Sequence, residues 1–156
     1  MNIEINSKAP VVSKKSITIF APVSVVWEVL TGINNWPDWQ KNVKEAKLNG
    51  PLKEGTTFRW KAGGISFLSE LHTMKSDMEF GWTGRTMGTY AVHNWWLENK
   101  GGATKVTVEE SLEGLLPFIF RNYLKQNLRE GMQTQLVELK ITSETKQEQQ
   151  TTLLIK

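Results

Sequence analysis

The sequence predicts an α+β fold in which a curved antiparallel sheet of about seven strands wraps around one long C-terminal helix. Three observations predict it. Short alternating segments separated by tight turns fill the middle of the chain, helical spacing occurs at only two places, and the second of these carries an apolar stripe. Strands joined by hairpins form antiparallel sheets, and helices confined to two places are typical of α+β rather than alternating α/β proteins.

The first elements are a strand and two short helices. Residues 12–20 alternate, with Ile17 and Ile19 on one face, and this predicts a strand that ends at Ala21. Pro22 can open a helix because its fixed φ is tolerated in the first turn. Helical spacing then follows at Val23, Val26, Trp27 and Leu30. A second short helix or turn is predicted for residues 33–40, and residues 1–11 are expected to be loosely ordered or to form an added edge segment.

Six further strands are predicted between these helices and the C-terminal helix. They cover residues 43–48, 56–61, 65–74, 79–83, 87–98 and 103–112. Turn signals rich in Gly, Asn and Asp separate them, and residues 99–102 (NKGG) are the clearest hairpin turn.

The C-terminal helix is predicted over about residues 115–141. Its apolar stripe consists of Leu116, Phe120, Leu124, Leu128, Met132, Leu136 and Leu139. The opposite face carries Arg121, Lys125, Arg129, Glu138 and Lys140 and is expected to meet water. Because such a helix needs an apolar surface to be stable, we expect the sheet to supply one. Residues 143–156 are polar and are expected to fray, so the sequence predicts one domain over residues 1–156 with a core at about 12–142.

Composition excludes several classes of function. The 156 residues contain no cysteine, which excludes disulfides, thiolate catalysis and iron–sulfur ligation, and fits a reducing compartment. No apolar run approaches the ~20 residues of a membrane-spanning helix, and no signal-peptide core precedes the first strand, so we expect a cytoplasmic protein. The net charge of +3 comes from scattered lysines, so no nucleic-acid partner is expected. Only two histidines exist and no cofactor motif follows a strand, so neither a metal nor a cofactor is expected.

Five short stretches, in this order and spacing, carry a resemblance to a known superfamily. They are residues 17–30 (ITIFAPVSVVWEVL), 35–39 (NWPDW), 55–60 (GTTFRW), 93–95 (HNW) and 107–114 (TVEESLEG). The chain resembles the helix-grip fold of the SRPBCC superfamily, the START and birch-pollen-allergen-like proteins, and within it the bacterial polyketide cyclase/dehydrase and lipid-transport branch. The resemblance implies a cavity between the concave face of the sheet and the long helix. Its mouth would be rimmed by hairpin turns and by the loop after the first two helices.

A histidine and a glutamate are predicted to share the inner face of the sheet. If the turn at residues 99–102 pairs Leu97 with Thr104, then His93 lies opposite Val108, and His93 and Glu110 are diagonal neighbours about 7 Å apart. A carboxylate on an apolar face must be paired, hydrogen-bonded or protonated. Three interpretations stay open: a buried pair that only satisfies itself, a pair that orients a ligand, and a pair that moves a proton.

The aromatic excess, seven Trp, six Phe and two Tyr, suggests that several rings line a cavity rather than only fill a core. The candidate ligand-binding residues are Trp36, Trp39, Trp60, Phe67, Trp82, His93, Trp95, Glu110, Leu116, Phe120, Tyr123 and Leu124. Trp36 and Trp39 are predicted at the mouth, and the helix residues are predicted to point inward. Arg85 is expected to be a solvated rim charge, and His72 to lie off the inner face, either solvent-exposed or paired.

The sequence leaves three functions open. The first is binding or transport of a hydrophobic or aromatic small molecule or lipid in an internal cavity, without a cofactor. The second is a polyketide cyclase/dehydratase-like enzyme that uses His93 and Glu110. The third is a protein-interaction module of the chaperone-activator type, and a homodimer is left open.

Overall fold

The computed structural model describes residues 2–155, and it confirms the predicted α+β architecture. The strands are β1 (Val11–Ile19), β2 (Val43–Leu48), β3 (Thr57–Ala62), β4 (Ile65–Lys75), β5 (Glu79–Thr86), β6 (Thr89–Asn99) and β7 (Thr104–Glu113). The helices are α1 (Val23–Thr31), α2 (Trp36–Trp39), α3 (Leu115–Ile119) and α4 (Arg121–Leu154), and a 3-10 turn at Ile33–Asn35 joins α1 to α2.

The seven strands form one antiparallel sheet in the order β1-β7-β6-β5-β4-β3-β2. Strands β2 to β7 follow one another through turns, and β1 lies at the far edge beside β7. The Gly63-Gly64 turn between β3 and β4 has φ of 55° and 80°, the left-handed conformation that glycine adopts without strain. Strands β2 to β7 are thus neighbours in the sheet in the order in which they follow in the chain, without a crossover. Helices α1 and α2 are inserted between β1 and β2.

The core lies between the concave face of the sheet and the helices. Met132, Leu136, Leu139 and Ser143 of α4 are buried there, against β1 and α1. Aromatic rings fill the space beside them: Trp36 meets Phe58 and Trp82 edge-on or tilted, at centroid distances of 5.6 and 5.4 Å. At this level of α4, aromatic and aliphatic side chains from the sheet and the helices form one buried cluster.

The predicted faces of β6 and β7 are confirmed, but their predicted register is wrong by two residues. His93 pairs with Glu110 and Leu97 with Val106, whereas we expected His93 opposite Val108. The last pair is Asn99–Thr104, so the loop begins at Lys100, whose N–H donates to the Ala103 carbonyl. Because side chains alternate with a period of two, a two-residue shift leaves every side chain on its predicted face.

The C-terminal helix differs from the prediction at both ends. A single non-helical residue, Phe120, with φ of −102° and ψ of 31°, separates α3 from α4. The expected frayed tail is wrong, since α4 continues to Leu154. Its last turns are rich in Glu, Lys and Gln, which have high helix propensity although they offer no apolar stripe.

Residues 2–9 lie across the outer face of the sheet, so the prediction of a loose or edge segment is wrong. The Ile3 N–H donates to His72 Nδ1, and the Asn94 side-chain amide donates to the Ile3 carbonyl. The Asn6 N–H donates to Ser111 Oγ. His72 occupies an irregularity in the β4–β5 register and is off the inner face and paired, as expected, but buried. Burial lowers the pKa of His72 to about 4.

Candidate functional site

One row of paired residues crosses the concave face at its centre. The register of β1, β7, β6, β5 and β4 aligns Ser13, Glu110, His93, Trp82 and Leu71 side by side. Opposed residues share a face, so Glu110 and His93 are direct neighbours rather than diagonal ones. The direct pairing brings the two side chains closer than the sequence predicted.

His93 Nδ1 lies 2.7 Å from Glu110 Oε2, and the two side chains are only 9% and 15% exposed. The His93 ring stacks on Trp82 at 4.2 Å and on Trp95 at 5.5 Å between centroids. A hydrogen bond from Nδ1 to the carboxylate orients the imidazole and leaves Nε2 as the second polar atom of the ring. The arrangement resembles the base–orienter pairs with which proteins position an imidazole for proton transfer or for ligand binding.

Two buried nitrogen atoms beside this pair have no hydrogen-bond partner within residues 2–155. They are His93 Nε2 and Trp95 Nε1, on neighbouring inward positions of β6. A buried polar atom without a partner costs about 1–3 kcal/mol, and such atoms in native proteins call for a specific explanation. The concave face therefore keeps hydrogen-bonding capacity beside the rings of Trp82 and Trp95.

The middle of the next row of the concave face, between Leu112 of β7 and Phe58 of β3, is built from small side chains. Ala91, Gly84 and Ser69 stand side by side on β6, β5 and β4. Trp60 Nε1 donates to Ser69 Oγ at 3.1 Å, and the Trp60 ring stacks on Phe67 at 4.6 Å. Beside His93, the concave face thus carries little side-chain bulk, and the stacked rings of Trp60 and Phe67 border it. Ala91, Glu110, Trp60 and Phe67 are half-buried, so solvent reaches this part of the face.

Residues 121–131, the leading segment of α4, contain no buried residue. Lys140 Nζ contacts the Thr18 carbonyl, and Lys15 shares a groove with Arg129, so β1 and α4 run in the same direction. We call the half-buried part of the concave face that has His93, Glu110 and the small-residue row as its floor the trough.

Six of the predicted ligand-binding residues share the concave face. They are Trp60, Phe67, Trp82, His93, Trp95 and Glu110. Trp36 is in the core rather than at a mouth: it is 1% exposed, and its Nε1 donates to the Leu30 carbonyl. Trp39 is half-buried against the core. Arg85 is exposed and lies over the Tyr90 ring on the outer face.

The helix residues of the predicted site divide into two groups. Leu116 and Leu124 are half-buried, whereas Phe120 and Tyr123 are 53% and 69% exposed, so the prediction that these two rings point inward is wrong. The stripe was drawn at every fourth residue, which drifts around a helix of 3.6 residues per turn. Sequence reasoning also missed the small residues Ala91, Gly84 and Ser69, although a Gly and a Ser in the middle of strands signalled a place without bulk.

A concave sheet closed over a long C-terminal helix, with short helices inserted after the first strand, defines the helix-grip class of START-like proteins. The model of one family, polyketide cyclase/dehydrase and lipid transport, matches residues 10–144. The chain belongs to this family. No curated protein matches it at a significant level.

Solved structures with this fold are similar over most of their length. A hypothetical protein from Helicobacter pylori has a TM-score of 0.79 at 16% identity, covering 92% of this chain and 98% of its own. A START superfamily protein from Mycobacterium smegmatis has a TM-score of 0.74 at 13% identity, covering 88% and 97%. The ZhuI aromatase/cyclase from Streptomyces sp. R1128 has a TM-score of 0.75 at 14% identity, covering 85% and 93%. At such identities the likeness shows the fold alone.

Within residues 2–155, no three His, Asp or Glu side chains are grouped so that they could hold a metal ion. In the same range, no helix is both long enough and apolar enough to traverse a lipid bilayer.

Proposed function

We propose that this chain binds a hydrophobic or aromatic small molecule or lipid in the trough and acts as its carrier. The observation that carries the proposal is the pair of buried, unpartnered nitrogens, His93 Nε2 and Trp95 Nε1, beside Glu110 on an aromatic face. Ligand pockets combine apolar walls with a few well-placed polar groups, and this face has that composition. Membership in a family described by cyclases and lipid transport supports the same reading.

The trough supplies each part of such a site. Trp60 and Phe67 form a wall against which an apolar body can stack, and the small-residue row leaves it room. His93 is held by Glu110, so its free nitrogen has a fixed direction and can bond to a ligand oxygen with little loss of side-chain entropy. Binding would thus satisfy polar atoms that the protein alone leaves without partners.

The test is a titration of the purified protein with lipids and polycyclic aromatic compounds, followed by Trp emission and melting temperature. A bound ligand at 100 times its Kd should stabilise the fold by about 2.7 kcal/mol. Ala91→Leu should fill the floor and weaken binding at least tenfold. Ala103→Leu is the matched control, because it makes the same change at a half-buried alanine in the β6–β7 loop. Absence of binding across the panel, or binding that Ala91→Leu leaves unchanged, would contradict the proposal.

A second candidate, a cyclase/dehydratase-like enzyme, is favoured by the 2.7 Å contact between His93 Nδ1 and Glu110. In that function, His93 Nε2 would take a proton from the bound substrate while Glu110 stabilises the imidazolium. Glu110→Gln should then keep ligand affinity within a few fold but lower turnover by a factor of about 10² to 10⁴, as is typical of lost acid–base assistance. Unchanged turnover of an identified substrate in Glu110→Gln and His93→Ala would exclude this role.

The interaction-module hypothesis stays a prediction. The exposed side chains around the α3–α4 junction, Leu115, Phe118, Ile119, Phe120 and Tyr123, are where a protein partner would bind. A stable partner in a pull-down, lost on substitution of Phe118 and combined with an empty ligand screen, would support it over the carrier function.

A further inference from the structure

An exposed apolar surface surrounds the junction of α3 and α4. Leu115, Phe118 and Ile119 of α3 are exposed, and Phe118 is 72% exposed. Phe120 at the junction and Tyr123 in the first turn of α4 are exposed as well. Exposed apolar side chains grouped in this way mark contacts with another protein or with a membrane more often than single ones do. We call these five residues together the junction surface.

Cations without carboxylates follow the junction surface along the chain. Between Glu113 and Glu130 the sequence contains Arg121, Lys125 and Arg129 but no Asp or Glu. Among residues 2–155, none of these three cations takes part in an ion pair. Their charge is therefore not neutralised by a neighbouring side chain.

One open recess brings the apolar and the cationic side chains together. Its volume is about 570 Å³, and its lining is Ile119, Phe120, Arg121, Asn122, Tyr123 and Lys125. A partner that contacts the apolar part of this recess therefore also meets two cations. The partner should combine an apolar layer with negative charge.

The surface of an anionic lipid bilayer has this combination. Apolar side chains enter the boundary between headgroups and acyl chains, Tyr lies at the level of the headgroups, and Lys and Arg are attracted to anionic lipids. A second copy of the chain fits less well, because in a symmetric dimer the junction surface would face an identical surface, with cations on both sides. A protein partner also fits less well, since charged residues are depleted in the cores of protein–protein interfaces.

We propose that the junction surface binds this protein to the surface of an anionic bilayer. Phe118 and Ile119 would enter the interfacial layer of the lipid. Arg121 and Lys125 would contact lipid phosphate groups, to which both side chains donate charge-assisted hydrogen bonds. The proposal goes beyond the proposed function, because it concerns where the protein binds and holds whatever the trough contains.

The junction surface lies at one end of the sheet. Leu116 packs beside Gly88 in the turn that joins β5 to β6, and the neighbouring Met87 is 78% exposed. Gly84 and Ala91, in the small-residue row of the trough, belong to the two strands that this turn connects. Contact with a bilayer would therefore be made at the end of β5 and β6 that is nearer to the small-residue row.

The test measures binding of the purified protein to lipid vesicles by co-sedimentation. Vesicles of phosphatidylcholine alone are compared with vesicles that also contain about 30% phosphatidylglycerol. We expect at least about tenfold tighter binding to the mixed vesicles at low salt, because each cation near an anionic surface adds to the attraction. This preference should shrink at 0.5 M NaCl, since salt screens exposed charges.

A first pair of double variants isolates the apolar contribution. Phe118→Ser with Ile119→Ser should weaken binding to the mixed vesicles at least about tenfold, because membrane affinity scales with the apolar area that is buried. Leu153→Ser with Leu154→Ser is the matched control, since it removes two exposed apolar side chains from the other end of α4 and should leave binding unchanged.

A second pair isolates the charges. Arg121→Gln with Lys125→Gln should remove most of the preference for the mixed vesicles. Lys44→Gln with Lys47→Gln lowers the net charge by the same amount at exposed positions of β2 and should leave the preference unchanged. Melting temperatures would check that each variant folds.

The absence of cysteine allows a direct observation of the contact. Phe118→Cys would carry the only thiol of the chain and can be labelled with a polarity-sensitive fluorophore. Its emission should shift to shorter wavelength when mixed vesicles are added. The same label on Lys47→Cys, on an exposed position of β2, should show no shift.

Several outcomes would overturn the inference. They are equal binding to both kinds of vesicle, binding that survives the Phe118/Ile119 variant, and no emission shift at position 118. Loss of binding in the Leu153/Leu154 or Lys44/Lys47 control would mean that general apolarity or net charge attracts the lipid, and would equally overturn it. Self-association without lipid that only the Phe118/Ile119 variant abolishes, or a stable protein partner in place of vesicle binding, would assign the surface to another occupant.

The proposed function is tested separately. The Phe118/Ile119 variant should bind ligands of the trough as the unmodified chain does, because its two substitutions lie outside the trough. Vesicle binding without any trough ligand would overturn the carrier function alone, and trough ligands without vesicle binding would overturn the membrane inference alone.

Discussion

The hydrogen bond between His93 and Glu110 can be measured by a double-mutant cycle. His93→Phe keeps an aromatic ring for Trp82 and Trp95 to stack on but removes both nitrogens, and Glu110→Leu removes the carboxylate. With 2.7 Å between Nδ1 and Oε2 and both side chains at least 85% buried, the bond belongs to the class of hydrogen bonds to charged groups, worth about 1.5–3 kcal/mol.

Each single variant leaves one buried polar group without its partner: His93→Phe leaves the carboxylate, and Glu110→Leu leaves the imidazole. The double variant removes both groups, so no polar group is left unpaired. We therefore expect His93→Phe to lower the free energy of unfolding by about 2–3 kcal/mol, because it leaves a mostly buried carboxylate unpaired. The double variant should lose less than the sum of the two singles, with a coupling energy of about 2 kcal/mol. Urea denaturation followed by circular dichroism at constant pH gives the four free energies.

A neighbouring ion pair supplies the control cycle. Lys14 and Glu109 occupy the outer face one residue away, at 3.4 Å, with side chains 62% and 14% exposed. Because the ammonium group is solvated, their coupling energy should stay below about 1 kcal/mol. If the His93–Glu110 cycle gave a coupling as small as this control, the reasoning that places the pair in a desolvated, ligand-facing position would be refuted.

Three further predictions concern the scaffold. Burial lowers the pKa of His72 to about 4, so the unfolded chain binds a proton on this histidine more readily than the folded chain does. The free energy of unfolding should therefore fall by up to about 3 kcal/mol as the pH drops from about 6.5 to 4. His72→Gln should flatten that dependence in urea denaturation, and an equal slope in both proteins would contradict it. Gly114→Ala should cost at least about 3 kcal/mol or abolish folding, measured by thermal melting, because φ is +119° and a Cβ would overlap the Gly88 carbonyl oxygen. Leu136→Ala should cost about 2–5 kcal/mol, while Val137→Ala, 38% exposed, should cost under about 1 kcal/mol in the same melts.

The strands and their faces could be predicted from the sequence because alternation has a period of two and the turns are rich in glycine. The register could not, since Asn99-Lys100-Gly101-Gly102 is compatible with loops of different length that keep the same parity. The prediction for His93 and Glu110 therefore placed both on the correct face and yet misjudged their separation. The direct pairing brings His93 Nδ1 within 2.7 Å of Glu110 Oε2.

The existence of the C-terminal helix could be predicted from one apolar stripe, and its cations Arg121, Lys125 and Arg129 are exposed, as predicted. The direction of Phe120 and Tyr123 could not, because a four-residue repeat drifts by about 40° at each step. The N-terminal segment could not be predicted at all, since its contacts with His72 and Asn94 come from residues far apart in the chain.

The crowding of indole rings has an optical consequence. Trp36 lies 5.8 Å from Trp60 and 5.4 Å from Trp82, and the planes of these rings are inclined to one another by 85° and 47°. Transition dipoles at such separations couple, so the near-ultraviolet spectrum should contain exciton bands that vanish when the core loosens. Excitation absorbed by one ring can also migrate to its neighbours, so that quenching at Trp82, which stacks on His93, would lower the emission of the whole cluster.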